Sequence, residues 1–329
     1  MAQVLVTGGC GFVGRHLVEA LVARGDRVRV LDVSPPRAED EKVEYVRGSV
    51  ADRAACDKAL EGVDRLYHIA GIAHLWRRDK DDFDLVNRRG TETILAAAAA
   101  KRIGRIVHCS TESILLPKHR NGGAEIDETV DPQLEDMPGV YTRSKFLGEQ
   151  AAIKAARQGM DIVVVNPTVP VGIGDRNMTP PAAMFALFLS GRTPFYLDCV
   201  LNLVDVRDLA DGILRAGDRG RAGDRYILGG ENVALGDLLP TLERLSGRPM
   251  PKRRVPAALA LATGTVSSWI ADNVTRTEPT VTREGVQLAL RSAPFDSAKA
   301  RRELGYAPRP IEQALTEVVE AFKRRRDGH

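Results

Sequence analysis

The 329-residue chain is 43% hydrophobic and carries 47 basic against 44 acidic side chains, a net charge of +3. That length suits one large α/β domain plus a smaller one around a sizeable core, and the near-balance of charge argues against nucleic acid as a partner. Cys10, Cys56, Cys109 and Cys199 lie too far apart for a metal or disulfide framework and suit a reducing cytoplasm, while no apolar run reaches the roughly 18 residues of a membrane span.

The chain opens with a β-branched run, Val4-Leu5-Val6, and passes through a glycine cluster into the helical pattern Phe12, Val13, Leu17, Val18, Leu21. The first strand is expected from about residue 3, an arrangement expected to leave no room for a signal peptide. Gly8, Gly11 and Gly14 are spaced G-x-x-G-x-x-G between a strand and a helix. Glycine there lets the backbone turn tightly and approach a pyrophosphate, whose charge meets the N–H groups and positive dipole end of the helix. Phe12 and Val13 occupy the first helical positions. A second strand, Arg27–Asp32, ends in an acid placed to accept the hydroxyls of an adenosine ribose. Strand, loop, helix and acid together predict dinucleotide binding.

Val43–Gly48 reads as a third strand, and Ser49, Val50, Ala51 and Asp52 start a helix running to about Leu60; Ser49 and Val50 stand where adenine would be met. Leu66–Gly71 is a fourth strand and loop, with Ala70 and Gly71 set to cover the cofactor's phosphate and ribose side. His68 on that strand is expected to be packed and hydrogen-bonded. Trp76 either lines a substrate cleft or packs on the following helix. That helix, residues 83–101, carries Asn87 and the alanine run 96–100, small residues that permit close packing on a sheet. A fifth strand, Arg105–Thr111, ends in hydroxyls, and the loop with Asn121-Gly122-Gly123 is long enough to shape a site mouth.

The next helix, residues 140–157, places Tyr141 and Lys145 at i and i+4, on one face. Ile162–Val165 is a sixth strand that runs into Pro167 and Thr168. The β-α-β alternation predicts a Rossmann-type doubly wound parallel sheet with helices on both faces. Regular alternation then stops. Later strands are expected at Leu201–Val206 and Tyr226–Gly229, and the last third is mostly helical. Its apolar stretch Ala257–Ala262, with Val266, Trp269 and Ile270, reads as a substrate-cleft or core helix, an interfacial helix being the alternative. Lys323-Arg324-Arg325-Arg326 reads as a solvated tail. The expected division is a dinucleotide-binding domain of residues 1–175 and 200–232, with a smaller, mostly helical substrate domain of 176–199 and 233–329.

Tyrosine's ordinary pKa, about 10, is too high for an efficient base at neutral pH, and a nearby ammonium such as that of Lys145 favours the phenolate. Thr111 can hydrogen-bond the oxygen whose proton Tyr141 removes as hydride leaves for a nicotinamide. Ser110 and Ser113 stay open as alternatives to Thr111. Spacing alone leaves Tyr141 and Lys145 open to being an ordinary half-exposed pair.

With Gly8-x-x-Gly11-x-x-Gly14, Asp32, Asn87 and Asn166-Pro167, however, the Tyr141/Lys145 pair resembles the extended short-chain dehydrogenase/reductase family, the NAD-dependent epimerase/dehydratase superfamily, over nearly the whole chain. The resemblance implies Tyr141 as catalytic acid or base, Lys145 as its activator and a ribose ligand, and Thr111 as the group positioning the substrate oxygen. It also implies Ala70-Gly71 and Pro167-Thr168 as cofactor loops, Asn87 as support for the active site, and no metal. Asp32 implies NAD over NADP, since a carboxylate repels a 2′-phosphate. At Ser49 the chain departs from the family's usual aspartate.

The stretches His74-Leu75-Trp76, Tyr196-Leu197-Asp198, Asn202-Leu203-Val204, Tyr226–Asn232 and Glu303-Leu304-Gly305-Tyr306 resemble hopanoid-associated sugar-epimerase-like and dihydroflavonol-reductase-like proteins. Asp32 and the 257–270 segment are similar to 3β-hydroxysteroid and sterol-4-carboxylate 3-dehydrogenases. These resemblances imply an NAD-dependent oxidoreductase acting on a secondary alcohol or ketone of a hydrophobic, sterol- or hopanoid-like small molecule, with loss of a neighbouring carboxylate as carbon dioxide where one is present. The alternative is a nucleotide-sugar epimerase or dehydratase with tightly bound NAD, for which Arg192, Arg207 and Arg248 are the available diphosphate ligands. The family also implies a homodimer paired through helices 83–101 and 140–157. Cytoplasmic location is expected, with peripheral contact at the inner membrane surface left open.

Overall fold

The computed structural model describes residues 2–36, 40–118, 124–191 and 193–327, the side chains as far as 324. Asn121-Gly122-Gly123 and Arg192 lie outside the described residues.

The first half of the chain alternates strand and helix. It contains β1 (Gln3–Thr7), α1 (Phe12–Arg24), β2 (Arg27–Asp32), β3 (Val43–Arg47), α2 (Arg53–Ala59), β4 (Arg65–His68), α3 (Asp81–Phe83), α4 (Gly90–Ala100), β5 (Arg105–Cys109), α5 (Val140–Arg157), β6 (Ile162–Pro167) and β7 (Val169–Val171). The second half adds α6 (Pro180–Leu189), β8 (Phe195–Tyr196), β9 (Val200–Asp205), α7 (Val206–Arg219), β10 (Arg225–Leu228), β11 (Glu231–Ala234), α8 (Leu235–Ser246), β12 (Arg253–Arg254), α9 (Ala257–Ile270), α10 (Arg283–Arg291), α11 (Ala298–Leu304) and α12 (Glu312–Asp327).

Seven strands form one parallel sheet in the order β10-β6-β5-β4-β1-β2-β3. The order reverses between β1 and β4, the crevice where open α/β sheets take ligands. Strand alternation divides the core into two layers. Val4 and Val6 face one side with Leu17, Leu21, Val107, Val163 and Ile213, under α1 and α7. Leu5 faces the other with Leu66, Ile106, Ile162, Ile94 and Ala97, under α2, α4 and α5. Being covered on both faces, β6 is buried along its whole length, which explains its unbroken apolar run. Ala97 and Ala98 are fully buried, so the alanine run brings α4 close to the sheet as its composition predicts.

Three expectations are corrected. The helix expected at 83–101 is not uniformly α-helical: between α3 and α4 it passes through a π-helical stretch, Asp84–Arg89, which contains the buried Asn87. Period and composition do not distinguish these registers. Leu201–Val206 does form a strand, but β9 pairs with β7 and β11 in a separate three-stranded sheet. Lys323–Arg326, expected as a solvated tail, continue the helix α12, where Arg324 is exposed, while the inner side of that helix packs Leu315 and Val319 into a third core with Phe188, Leu203 and Leu238.

α9 is also neither core nor cleft wall. Only Ala260 and Gly264 of its residues are buried. Both are small, and a side chain at Gly264 would press on Val286 and on the backbone at Thr282 and Arg283, so α9 lies close against α10 by its small-residue edge. No described helix is long and apolar enough to cross a membrane.

Candidate active site

A cleft of about 990 Å³ opens at the carboxyl edge of the seven-stranded sheet. Gly8, Gly11, Phe12, Val13 and Gly14 line it from the β1–α1 loop, and Asp32, Ser49 and Val50 from the ends of β2 and β3. Ala70 and Gly71 follow β4, Thr111 follows β5, Tyr141 and Lys145 project from α5, and Pro167 and Thr168 close the side beside β6. The fold thus brings every residue expected at the cofactor and the chemistry to one cavity.

The glycine loop is built by close approach. Gly8 adopts φ +73° and lies against the backbone of Ala70, while a Cβ on Gly14 would collide with the carbonyl of Gly8. Strand β1, helix α1 and the β4 loop therefore meet where side chains cannot fit. Gly11 caps α1 without a side chain, leaving the first-turn N–H groups uncapped by any side chain and facing the cleft. An uncapped, positive helix end with no β-carbon in the way fits a pyrophosphate. At the adjacent strand end, Asp32 Oδ2 accepts from Cys10 N–H (3.0 Å) and Oδ1 from Ser34 N–H (2.9 Å), which fixes the carboxylate at the cleft wall. Ser49 Oγ accepts from Ala51 N–H (3.2 Å) and turns the chain toward α2. These residues fit an adenosine dinucleotide with free ribose hydroxyls.

Lys145 Nζ is buried and donates to Cys109 O at 2.8 Å; burial lowers its pKa. Burial also drives the Tyr141 phenol well above the ordinary range. A hydrogen bond with Thr111 opposes that rise, and the Glu112 and Glu284 carboxylates add to it. The expected lowering of Tyr141 by Lys145 is therefore not found: burial dominates, and the ammonium is held on the β5 carbonyl. Burial thus favours the protonated phenol. Of the three hydroxyls, that of Thr111 is the one that acts on the Tyr141 phenol, opposing the effect of burial.

Behind these groups lies a scaffold of buried polar residues. Asn87 Oδ1 accepts from Ile72 N–H (2.7 Å), and its Nδ2 donates to Ile72 O (3.2 Å) and Ser144 Oγ (2.9 Å), tying the β4 loop to α5. His68 is fully buried between the Thr7 hydroxyl (2.7 Å) and the Thr91 hydroxyl (3.0 Å), and burial with Lys145 nearby lowers its pKa to about 3. It is a neutral packing residue, as expected. Trp76 does not line the cleft: its indole donates to Asp272 (2.7 Å), just beyond α9, and Lys80 lies over its ring.

Two acids were not anticipated. Glu112 lines the cleft with Oε2 accepting from the Thr111 hydroxyl (2.9 Å), and burial raises its pKa to about 7. Its position directly after Thr111 was the available signal. Glu284, on α10, accepts from Thr142 N–H (2.8 Å), Thr142 Oγ1 (2.8 Å) and Tyr141 N–H (3.3 Å), and so caps α5 at the turn that carries Tyr141. Gly139 is required there because a Cβ would strike the Glu284 carboxylate. No local pattern links positions so far apart in the chain.

Beyond the dinucleotide side, Leu116, Met184, Leu201, Leu288 and Phe295 line the cleft. Among the described lining residues the lysine and arginine side chains are Lys145 and Arg77. Arg207 is bound to Asp205 (2.6 Å) and Glu317, and Arg248 to Leu189 O (2.6 Å); neither reaches the cleft.

Residues 4–229 match the NAD dependent epimerase/dehydratase family. Over 325 residues the chain is 37% identical to a protein of Synechocystis sp. provisionally named dihydroflavonol 4-reductase, covering 97% of this chain and 94% of that one. It is 31% identical over 328 residues to sterol demethylase protein B of Methylococcus capsulatus, covering 98% of each. The crystal structure of gox2253 superposes with a TM-score of 0.84 at 34% identity, covering 99% of each chain.

Proposed function

The chain belongs to the NAD dependent epimerase/dehydratase family, and from that premise we propose that it is an NAD-dependent oxidoreductase interconverting a secondary alcohol and a ketone on a hydrophobic, sterol- or hopanoid-like substrate. The observation that carries this reading is the meeting of Tyr141, Thr111 and Lys145 with an apolar wall of Leu116, Met184, Leu201, Leu288 and Phe295 in one cleft. The 31% identity to a protein named sterol demethylase protein B supports the substrate class.

When bound, the dinucleotide would supply a nicotinamide ring that accepts hydride in its oxidised form and gives it up in its reduced form. The first-turn N–H groups of α1 and the loop glycines would hold its pyrophosphate, and Asp32 would accept from its ribose hydroxyls. Thr111 orients the substrate oxygen toward Tyr141. In ketone reduction the Tyr141 hydroxyl donates its proton to that oxygen as hydride reaches the carbon; in alcohol oxidation Tyr141 takes the proton back. Lys145, fixed on Cys109 O, presents charge and an N–H donor to the ribose side. Where the alcohol is β to a carboxylate, the 3-keto acid formed loses carbon dioxide readily. The proposal includes the division into residues 1–175 with 200–232 and 176–199 with 233–329, a homodimer paired through helices 83–101 and 140–157, and a cytoplasmic protein with peripheral membrane contact.

The nucleotide-sugar alternative needs cations for a diphosphate on the substrate side. Arg207 and Arg248 are engaged elsewhere, which favours the hydrophobic substrate. A screen following NADH with 3β-hydroxysterols, their 4-carboxylates and nucleotide sugars side by side tests the choice. NADH formation with a hydroxysterol is expected; turnover of nucleotide sugars alone would overturn the substrate class. Tyr141→Phe is expected to lower turnover about 10²–10⁴-fold with NAD affinity unchanged, and retained turnover would remove Tyr141 from the chemistry.

A further inference from the structure

The outward face of α9 is the reverse of an ordinary surface helix, on which polar residues face water and apolar ones face the core. Leu259 is 58% exposed, Val266 57%, Trp269 61% and Val274 65%, with Ile270 beside them. Leu259, Val266 and Ile270 follow an i, i+7, i+11 spacing and form one stripe, and Val274 extends it beyond the helix end. From Ala257 to Ala271 there is no charged residue. Exposed apolar surface of this continuity marks a contact with protein or lipid.

Charge stands at both ends of the stripe. Lys252 and Arg253 are exposed just before α9. Beyond its other end Arg77, Arg78 and Arg276 surround one surface depression together with Asp79 and Asp82. Of the other acids near that end, Asp272 is engaged with Lys80 (2.9 Å) and Trp76, and Glu278 with His74 (3.4 Å), while Asp81 is exposed. Arg77 also lines the substrate cleft, so the basic end of the stripe adjoins the cleft mouth.

We propose that this face seats the protein on an anionic lipid surface, with α9 lying in the interface, Trp269 among the headgroups and Arg77, Arg78 and Arg276 against lipid phosphates, so that the cleft opens beside the bilayer. An uncharged helix bounded by cations, with a tryptophan at its rim, has the composition of an interfacial anchor. A second copy fits less well. Two such helices packed antiparallel about a two-fold axis would set the Lys252/Arg253 end of each against the Arg77/Arg78/Arg276 end of the other. This surface deepens the membrane contact proposed above, and it rests on nothing in the substrate reading.

Co-sedimentation of the full chain with phosphatidylcholine vesicles, with and without phosphatidylglycerol, tests the assignment. The protein is expected to pellet with phosphatidylglycerol vesicles and to be released by salt. Val266→Ser with Trp269→Ser, both at exposed positions, should weaken partitioning at least about tenfold, and Arg78→Gln with Arg276→Gln by a similar factor at low salt. Trp269 emission should shift to the blue on vesicle addition while the buried Trp76 contributes a constant background. A wild-type protein that stays in the supernatant, or variants that pellet equally, would overturn the proposal. So would sedimentation velocity without lipid showing a wild-type dimer that Val266→Ser with Trp269→Ser dissociates. Because no substrate is present, failure here leaves the oxidoreductase reading standing, and failure of the substrate screen leaves vesicle binding intact.

Discussion

At Glu112 burial opposes the hydrogen bonds from Thr111 and Ser113, and burial dominates: its pKa rises from 4.5 to about 7. The ionised form is therefore the costly one. Its penalty to stability is absent below pH 4.5, grows as pH rises and is complete above pH 7. Ionised Glu112 also holds the proton more firmly on Tyr141. The rate constant kcat/KM for ketone reduction is expected to fall as pH rises through about 7, and Glu112→Gln should remove that inflection; an inflection that persists in the variant assigns it to another group. The role proposed for Asp32 follows a simpler rule, a carboxylate accepting hydroxyls and repelling phosphate. Asp32→Ala should narrow the preference for NAD over NADP by about tenfold, at roughly 1.4 kcal/mol per decade, and an unchanged ratio of the two Kd values would show that selectivity lies elsewhere.

The elements contribute through their ends. α1 presents an uncapped N-terminus because Gly11, Gly14 and Gly8 leave no room for side chains. Gly14→Ala must displace the Gly8 carbonyl, and overpacking of this kind costs about 1–3 kcal/mol. The expected result is a lower Tm together with a loss of NAD affinity; wild-type values of both would mean that the loop absorbs the methyl. α5 is controlled from a distance, since its first turn is held by Glu284 on α10. Glu284→Ala removes the acceptor of the Thr142 and Tyr141 N–H groups. A stability loss of about 1–2 kcal/mol is expected from the lost cap, and a larger proportional loss in kcat than in NAD affinity is expected because the displaced turn carries Tyr141. The same lever connects the exposed helix α9 to the chemistry, as α9 rests on α10 through Gly264 and Ser268 Oγ accepts Arg283 N–H (2.9 Å).

Across the whole molecule, buried charge fastens the edge of the sheet. Glu149 on α5 is fully buried, pairs with Arg225 on β10 at 2.5 Å and accepts from Asn166 on β6 at 2.8 Å. Asn166 in turn donates to Thr111 O (3.0 Å), so this network ends at the loop after β5 that lines the cleft. Arg225→Ala strands the Glu149 carboxylate, and breaking a buried pair from one side costs about 3–5 kcal/mol. Denaturant unfolding should register that loss, with Arg225→Ala/Glu149→Leu recovering part of it; equal stability of the single and double variants would show that the pair is not the cause.

Local periodicity and glycine spacing sufficed for the parallel sheet, the phosphate loop and the Tyr141/Lys145 face, because each depends on residues within one strand or one turn. Asp32, Ala70, Thr111 and Pro167 reach one cleft because each stands at or just past the end of a strand whose direction the alternation fixes, and parallel strands carry their ends to one edge; the part given to Pro167 came from the family resemblance. What the order of residues could not reveal depends on contacts between distant segments. The π-helical register at Asn87, the pairing of β9 with β7 and β11, the acid pressing on Tyr141 and the cap from Glu284 are decided by packing, which overrides propensity. Burial likewise turned the expected phenolate into a held phenol, since desolvation is a property of the assembled cleft. And α9 has an apolar composition suited to a core helix. Only the tertiary structure, by using its small residues for α10, turned the large ones outward.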